Sequence, residues 1–332
     1  MNKILVIRVG RAGDVVMITP SLRAILIHFP DHELHVLTSQ DGRRILAGFD
    51  SRITDIIVYK KKRIKTLFAR IRQHKNIRNA SYEYIFNFEL KPTYKNIYKN
   101  IDAKIYELDK AEEHLNYAKR CLNIVQKSIN HKIQNYWDWL PVSEEGVENA
   151  RKQLQGAGIN EDDIVIGVHP SFSGSNKGLS KLKGRNLLRE WPPEYFASVI
   201  KMLSEYSKNS GLPLKIIIDL LPDESALGEK IVKLCDNKAV LFTLEPDFQR
   251  YKGLISRMKL LITPDTGPMH IAAALGTKIV CMFSGKSPED CGPYMDPKDY
   301  IALIAENYNT EEGLQAIKPE HVFDACKRIL TG

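Results

Sequence analysis

Asp265, Thr266, Gly267, Pro268 and His270 fall within six residues of one another, inside the stretch Thr263-Pro264-Asp265-Thr266-Gly267-Pro268-Met269-His270-Ile271-Ala272-Ala273-Ala274-Leu275-Gly276. An apolar run precedes it, Met258 to Ile262, and another follows, Lys278 to Phe283. Both read as buried strands. The spacing predicts a helix between them: Asp265 or Thr266 can N-cap it, Pro268 suits its first turn and Gly276 ends it. Such a helix aims its free N–H groups and the positive end of its dipole at the C-terminal edge of a sheet, which makes an anion site with phosphate as the usual guest. The plainer alternative is a capped core helix carrying a structural histidine. A plain cap needs one polar residue, however, and this mouth holds several.

A second candidate lies near the start. Lys3 to Val9 reads as a strand, followed by Gly10-Arg11-Ala12-Gly13-Asp14 and a helical pattern from Val15 to Phe29. The glycine spacing is not Gly-x-Gly-x-x-Gly, so a nicotinamide dinucleotide enzyme is disfavoured. Asp14 stands at a helix start, where it can serve as N-cap or, as an ionised carboxylate aimed at a substrate hydroxyl, as a general base.

The elements that must position these residues repeat one rhythm. In the first half, Glu33–Thr38, Ile53–Tyr59 and Tyr84–Phe88 read as further strands between helical stretches, and a helix runs from about 111 to 127. In the second half, the strands Ile164–Val168, Leu214–Leu220 and Ala239–Leu244 alternate with the helices Glu194–Lys208 and Glu224–Cys235. Alternation of this kind predicts an α/β fold with parallel, doubly wound sheets. The expected organisation is a Rossmann-like domain over 1–150, a second over 160–318, a linker near 141–160 with a cleft between the domains, and a C-terminal helix over 319–332 that packs back toward the first domain.

The 332 residues, 43% hydrophobic and 27% charged, are those of a globular protein long enough for two domains. No apolar run reaches the roughly 20 residues that span a bilayer. Arg8 and Arg11 interrupt the apolar N-terminus, which reads as a strand and not a signal peptide. The five cysteines form no Cys-x-x-Cys pair, so neither a disulfide framework nor a zinc site is indicated, and a reducing cytoplasm is expected. The net charge of +8 belongs to the first half: residues 1–155 hold 27 Lys/Arg against 17 Asp/Glu, and residues 156–332 hold 21 against 23. Its peak lies at 60–75, where Ile64, Leu67, Phe68 and Ile71 mark one helical face and cations fill the others. That face either packs on the sheet or meets an anionic membrane or the phosphates of a lipid-linked acceptor.

Two stretches together resemble glycosyltransferase family 9, the family of the lipopolysaccharide heptosyltransferases. They are Gly13-Asp14-Val15-Val16-Met17-Ile18-Thr19-Pro20 and Asp265-Thr266-Gly267-Pro268-Met269-His270-Ile271-Ala272-Ala273-Ala274. Trp191-Pro192 and Gly292-Pro293-Tyr294 are similar to family positions as well. The resemblance implies a GT-B fold, with the acceptor held mainly by the first domain and the nucleotide sugar by the second. It implies inverting transfer of heptose from ADP-L-glycero-β-D-manno-heptose to the inner core on lipid A, with no metal and no other cofactor. On matching positions, Asp14 becomes the general base. Thr266 and Gly267 offer N–H groups to the pyrophosphate, and Asp265 and His270 hold sugar or phosphate. Arg189 stands where the family has a phosphate-pairing lysine. Asp223 or Glu224 falls near the ribose-binding acid, and Ser171 is a further phosphate contact. Arg11, Lys61, Lys62 and Lys65 are expected to face the acceptor or the membrane. The expected location is the cytoplasm, peripheral on the inner membrane, with no nucleic-acid partner.

Displacement at an anomeric carbon leaves negative charge on the departing diphosphate, which a helix start and a cation can stabilise. No strict Asp-x-Asp occurs in the chain. The sequence departs from the family in carrying Arg189 for lysine, a fork in place of a point charge. It departs again in the long Gly/Ser/Lys-rich loop between Pro170 and Pro192, a candidate lid. The alternatives are another nucleotide sugar used on a surface glycan, or a non-catalytic binding protein of the same fold.

Overall fold

The computed structural model describes residues 2–59, 67–134, 136–171, 188–309 and 313–331. Lys61, Lys62 and Lys65 lie outside these residues, as does most of the candidate lid between Pro170 and Pro192, residues 172–187. The contacts divide the chain into two compact units, Met1–Pro141 and Val142–Gly332.

The first unit is a five-stranded parallel sheet in the order β3-β2-β1-β4-β5, built from β1 (Asn2–Arg8), β2 (His32–Thr38), β3 (Ile53–Val58), β4 (Tyr82–Asn87) and β5 (Lys104–Glu107). Ile4, Leu5, Val6 and Ile7 are all buried, so β1 needs cover on both faces, which parallel crossovers supply. The cover comes from α1 (Ala12–Val16), α2 (Thr19–His28), α3 (Gln40–Leu46), α4 (Leu67–Arg78), α5 (Lys95–Tyr98) and α6 (Tyr117–Ile129). The single helix expected over 15–29 is two, because Pro20 has no N–H to continue the first. On α4, Phe68 is 85% exposed and Ile71 56%, and Ile77 packs instead against Leu5, Ile7 and Leu37. Of the two outcomes the sequence allows for this face, Phe68 and Ile71 take the outward one.

The second unit is a six-stranded parallel sheet in the order β11-β10-β9-β6-β7-β8. Its strands are β6 (Ile164–Val168), β7 (Leu214–Asp219), β8 (Val240–Phe242), β9 (Leu260–Pro264), β10 (Lys278–Phe283) and β11 (Tyr300–Ile304). Its helices are α7 (Glu144–Gly156), α8 (Pro193–Ser210), α9 (Ser225–Leu234), α10 (Phe248–Arg257), α11 (Gly267–Ala274), α12 (Pro288–Cys291) and α13 (Pro319–Thr331). In both sheets the first strand is central and its neighbours return to opposite sides, the Rossmann arrangement.

The boundary differs from the expected linker at 141–160. Most of that stretch is α7, which packs on α10 within the second unit. The two helices touch backbone to backbone: a Cβ placed on Gly253 would lie 2.2 Å from the Gly146 carbonyl oxygen. A buried ion pair locks the same corner, with Arg250 donating to Asp219 at 3.0 and 3.3 Å and to Gln153 at 2.8 Å. The C-terminal helix α13 also belongs to this unit, packing on α8 and on β9, β10 and β11.

Two predictions test this packing. Gly253→Val forces the α7–α10 contact apart and should lower stability by about 1–3 kcal/mol, read as a lower thermal midpoint. The second concerns His169, just beyond β6, whose imidazole is pushed down by burial from 6.5 to about 4. The unfolded chain takes up that proton near 6.5 while the folded chain withholds it, so stability falls as the pH falls through this window, by up to about 1.4 kcal/mol per unit. Urea midpoints at pH 7 and pH 5 should converge in His169→Gln relative to the parent. A remainder from His35 and His74, which burial shifts the same way, should persist.

Candidate functional site

In the first unit the site forms around the loop leaving β1. Asp14 sits in the third residue of α1, not at its N-cap, and one carboxylate oxygen accepts the Arg11 N–H at 2.8 Å. The other accepts from the Arg8 guanidinium at 2.8 Å, and Arg8 also donates to the Asp14 carbonyl at 3.3 Å. Gly10 makes room for this turn, since a Cβ there would stand 2.2 Å from the Asp14 Cβ. The Asp14 side chain is 43% exposed and the Arg8 side chain 12%. The carboxylate is therefore pinned from behind and open in front. Arg8 lies 4.3 Å above the Tyr117 ring, and its second amino group is 3.6 Å from Glu89. Burial opposes the Arg8 charge, but Tyr117, Asp14 and Glu89 together outweigh it and move its pKa upward.

Glu89 is buried and accepts the Val9 N–H at 2.6 Å. Arg8, Glu89 and Tyr117 were not marked by the sequence reading. The one available signal is Arg8, a charged residue directly after the apolar run Ile4 to Ile7. Arg11 is exposed beside the carboxylate and holds it through its backbone.

The predicted donor residues lie at the C-terminal edge of the second sheet, on the loops leaving it or, for Gly267 and His270, in the first turn of α11. Thr266 occupies the N-cap position of α11 but its side chain caps nothing. Its hydroxyl bonds instead to that of Thr263 at 3.1 Å and to the Pro264 carbonyl at 3.3 Å. Asp265 does not cap the helix either. Its N–H goes to Met282 and its carboxylate turns toward cations, Arg189 at 3.5 Å and Lys286 at 3.6 Å. Pro268 has no N–H, and that of Met269 goes to the Thr266 carbonyl. The helix start thus presents the N–H groups of Thr266 and Gly267 undonated among the described bonds. This is the orphaned end that the macrodipole makes attractive to an anion.

Arg189 also donates to the Asp265 carbonyl at 3.0 Å, which brings its fork to the same helix start. His270 is buried in the first turn. Ser171 is buried at the end of β6, its hydroxyl 3.2 Å from His169 Nε2. Asp223 and Glu224 lie in a short turn, Pro222–Glu224, beyond the end of β7. Lys286, from the loop after β10, was missed in the sequence. Among the described residues, no group of three His, Cys, Asp or Glu side chains stands close enough to hold a metal ion.

With this geometry in place, comparison with known proteins is direct. The pattern of glycosyltransferase family 9 (heptosyltransferase) matches residues 107–320. Lipopolysaccharide heptosyltransferase 3 of Escherichia coli K12 is 21% identical over 342 residues, covering 96% of this chain and 91% of its own. The lipopolysaccharide core heptosyltransferase OpsX of Haemophilus influenzae is 25% identical over 172 residues, 51% of this chain, and the match spans about half, 47%, of that relative's length. Among solved structures, a family 9 glycosyltransferase from Veillonella parvula superimposes with a TM-score of 0.81 at 19% identity, covering 100% of this chain and 98% of that one. The ADP-heptose lipopolysaccharide heptosyltransferase II of E. coli gives 0.72 at 18% identity, covering 99% and 98%. These likenesses show the GT-B fold, and the family match spans well over half the sequence. The chain belongs to glycosyltransferase family 9.

Proposed function

We propose that this protein transfers heptose from an ADP-heptose donor to the inner core of lipopolysaccharide, with inversion and without a metal, at the cytoplasmic face of the inner membrane. The observation that carries the proposal is the uncapped start of α11 with Arg189 and Lys286 beside it. Two N–H groups and two cations are what a departing diphosphate needs. The likeness to the E. coli ADP-heptose lipopolysaccharide heptosyltransferase II supports ADP-heptose as the donor.

In the reaction, the acceptor oxygen forms a bond to the anomeric carbon as the bond from that carbon to the diphosphate breaks. The electron pair leaves on ADP and the acceptor proton passes to Asp14. Asp14 suits this role because Arg8 and the Arg11 N–H fix both of its oxygens while one side of the carboxylate stays open. Ser171, His270 and the acidic pair Asp223 and Glu224 complete the donor side in this reading. For membrane contact, the support is α4, where exposed Phe68 and Ile71 stand among Arg70, Arg72, Lys75 and Arg78 with no acidic residue on the helix.

Asp14→Ala is expected to lower turnover by about two to four orders of magnitude while ADP affinity is retained. Near-normal turnover would remove the base. Arg189→Ala should weaken ADP about 10- to 100-fold in calorimetric titrations containing EDTA. Selective binding of UDP or GDP would keep the fold and discard ADP-heptose, and nucleotide binding without transfer to any core acceptor would leave a non-catalytic protein. For the membrane, Phe68→Asp with Arg72→Glu should reduce flotation with anionic vesicles. Unchanged flotation would remove that contact.

A further inference from the structure

Arg8 faces two carboxylates. Its guanidinium meets Asp14 at 2.8 Å and Glu89 at 3.6 Å, with the Tyr117 ring beneath it at 4.3 Å. Of the two acids, only Asp14 is open: its side chain is 43% exposed against 7% for Glu89. Glu89 is also tied to the backbone, through the Val9 N–H and through its own N–H, which donates to Asn87 Oδ1 at 3.1 Å. It therefore cannot swing out to a substrate. It can only act on Arg8.

We propose that Arg8 and Glu89 are opposed positioning residues for Asp14: Arg8 fixes the carboxylate, and Glu89 takes a share of the Arg8 charge that would otherwise fall on Asp14 alone. The inference rests on Asp14 being the base.

A carboxylate tied to a wholly unshared guanidinium is held in place but accepts a proton poorly. A carboxylate with no cation behind it accepts a proton readily but is already protonated over more of the acid range, and its rotamer is loose. One cation divided between two acids gives a fixed carboxylate that still takes a proton. Low local dielectric makes each of these charges felt more strongly than in water.

The other titratable groups packed here do not confuse the balance. Tyr117 hydrogen-bonds to the Phe88 carbonyl and burial raises its pKa far above the assay range. Cys121, also from α6, is pushed up to about 12 by burial, and Tyr94, near Glu89, is likewise pushed up to about 12. All three stay neutral. Arg120 of α6 is directed to the Asp109 carbonyl, and the Arg11 side chain is exposed. Among the described residues of this unit, Arg8 is the buried charge that Asp14 meets, and Glu89 is the second acid that Arg8 meets.

The test is the pH dependence of kcat/KM for the parent, Glu89→Gln, Arg8→Gln and Arg8→Lys, with Asp14→Ala alongside. Glu89→Gln keeps an oxygen for the Val9 N–H and frees Arg8 for Asp14, so its acid limb should move down by about one pH unit. Arg8→Gln should move the acid limb up by about as much and lower kcat tenfold or more, with Arg8→Lys between it and the parent. A purely structural role would lower the thermal midpoint and leave the limb where it is. Shifts in the same direction, or no shift in a folded Glu89→Gln protein, would overturn the proposal. Glu89→Gln decides the matter alone if Arg8→Gln fails to fold. Persistent turnover in Asp14→Ala would instead overturn the base itself, whatever the two positioning variants do.

Discussion

Each unit of this protein depends on the placement of its first strand in the middle of a parallel sheet. β1 lies between β2 and β4, and β6 lies between β7 and β9. Parallel neighbours require crossovers, and crossovers that leave a central strand to opposite sides open a crevice at the carboxyl ends where they part. The residues with chemical potential are found there. Asp14 follows β1, Ser171 follows β6 and Asp265 to His270 follow β9. The apolar runs of these strands are buried on both faces, so the sheet is a rigid base from which short loops hold polar groups in place.

Those loops treat helix ends in two ways. α3, α6, α7 and α10 begin with a side chain, from Ser39, Asn116, Ser143 or Asp247, accepting a first-turn N–H. Each such cap contributes about 1 kcal/mol. α11 has a threonine in the same position and spends its hydroxyl elsewhere. A cap forgone where the residue type would allow one leaves the helix start free for a ligand, and the nearby Arg189 and Lys286 favour a negative one.

The carboxylate clusters around Arg250 and Arg8 differ in the same spirit. Asp219 and Arg250 are nearly enclosed, 6% and 10% exposed, and bind β7, α7 and α10 into one body. Burial raises the Asp219 pKa even against the lowering effect of Arg250, the signature of a pair whose desolvation is heavy and whose use is structural. At Arg8 the enclosure is one-sided. Glu89 is sealed, Asp14 is not, and the cation between them joins the fold to an open carboxylate.

The sequence by itself determined the repeating strand–helix rhythm, the two Rossmann-like sheets and the two blocks that carry the family likeness, because apolar periodicity and the residues at strand ends are local properties. It also held the wrong reasons for some of them. Asp265 looked like a helix cap and is not one, because its carboxylate turns to Arg189 and Lys286; Asp14 is the third residue of its helix, where it accepts the N–H of the N-cap Arg11 and the Arg8 guanidinium together. Arg8 and Glu89 are 81 residues apart, and Asp265 meets Arg189 across 76 and Lys286 across 21. The stretch 141–160 read as a linker because α7 offers a weak apolar stripe. Only packing against the glycine face of α10 makes it part of the second unit. On α4 the sequence left the Phe68 and Ile71 face either packed on the sheet or turned outward, and the fold exposes both while Ile77 packs with Leu5 and Ile7 of β1. Composition and period thus set which elements form. Which charge faces which, and which helix end stays open, was decided by tertiary structure, because strand pairing brings distant side chains within a few ångströms and no local pattern records it.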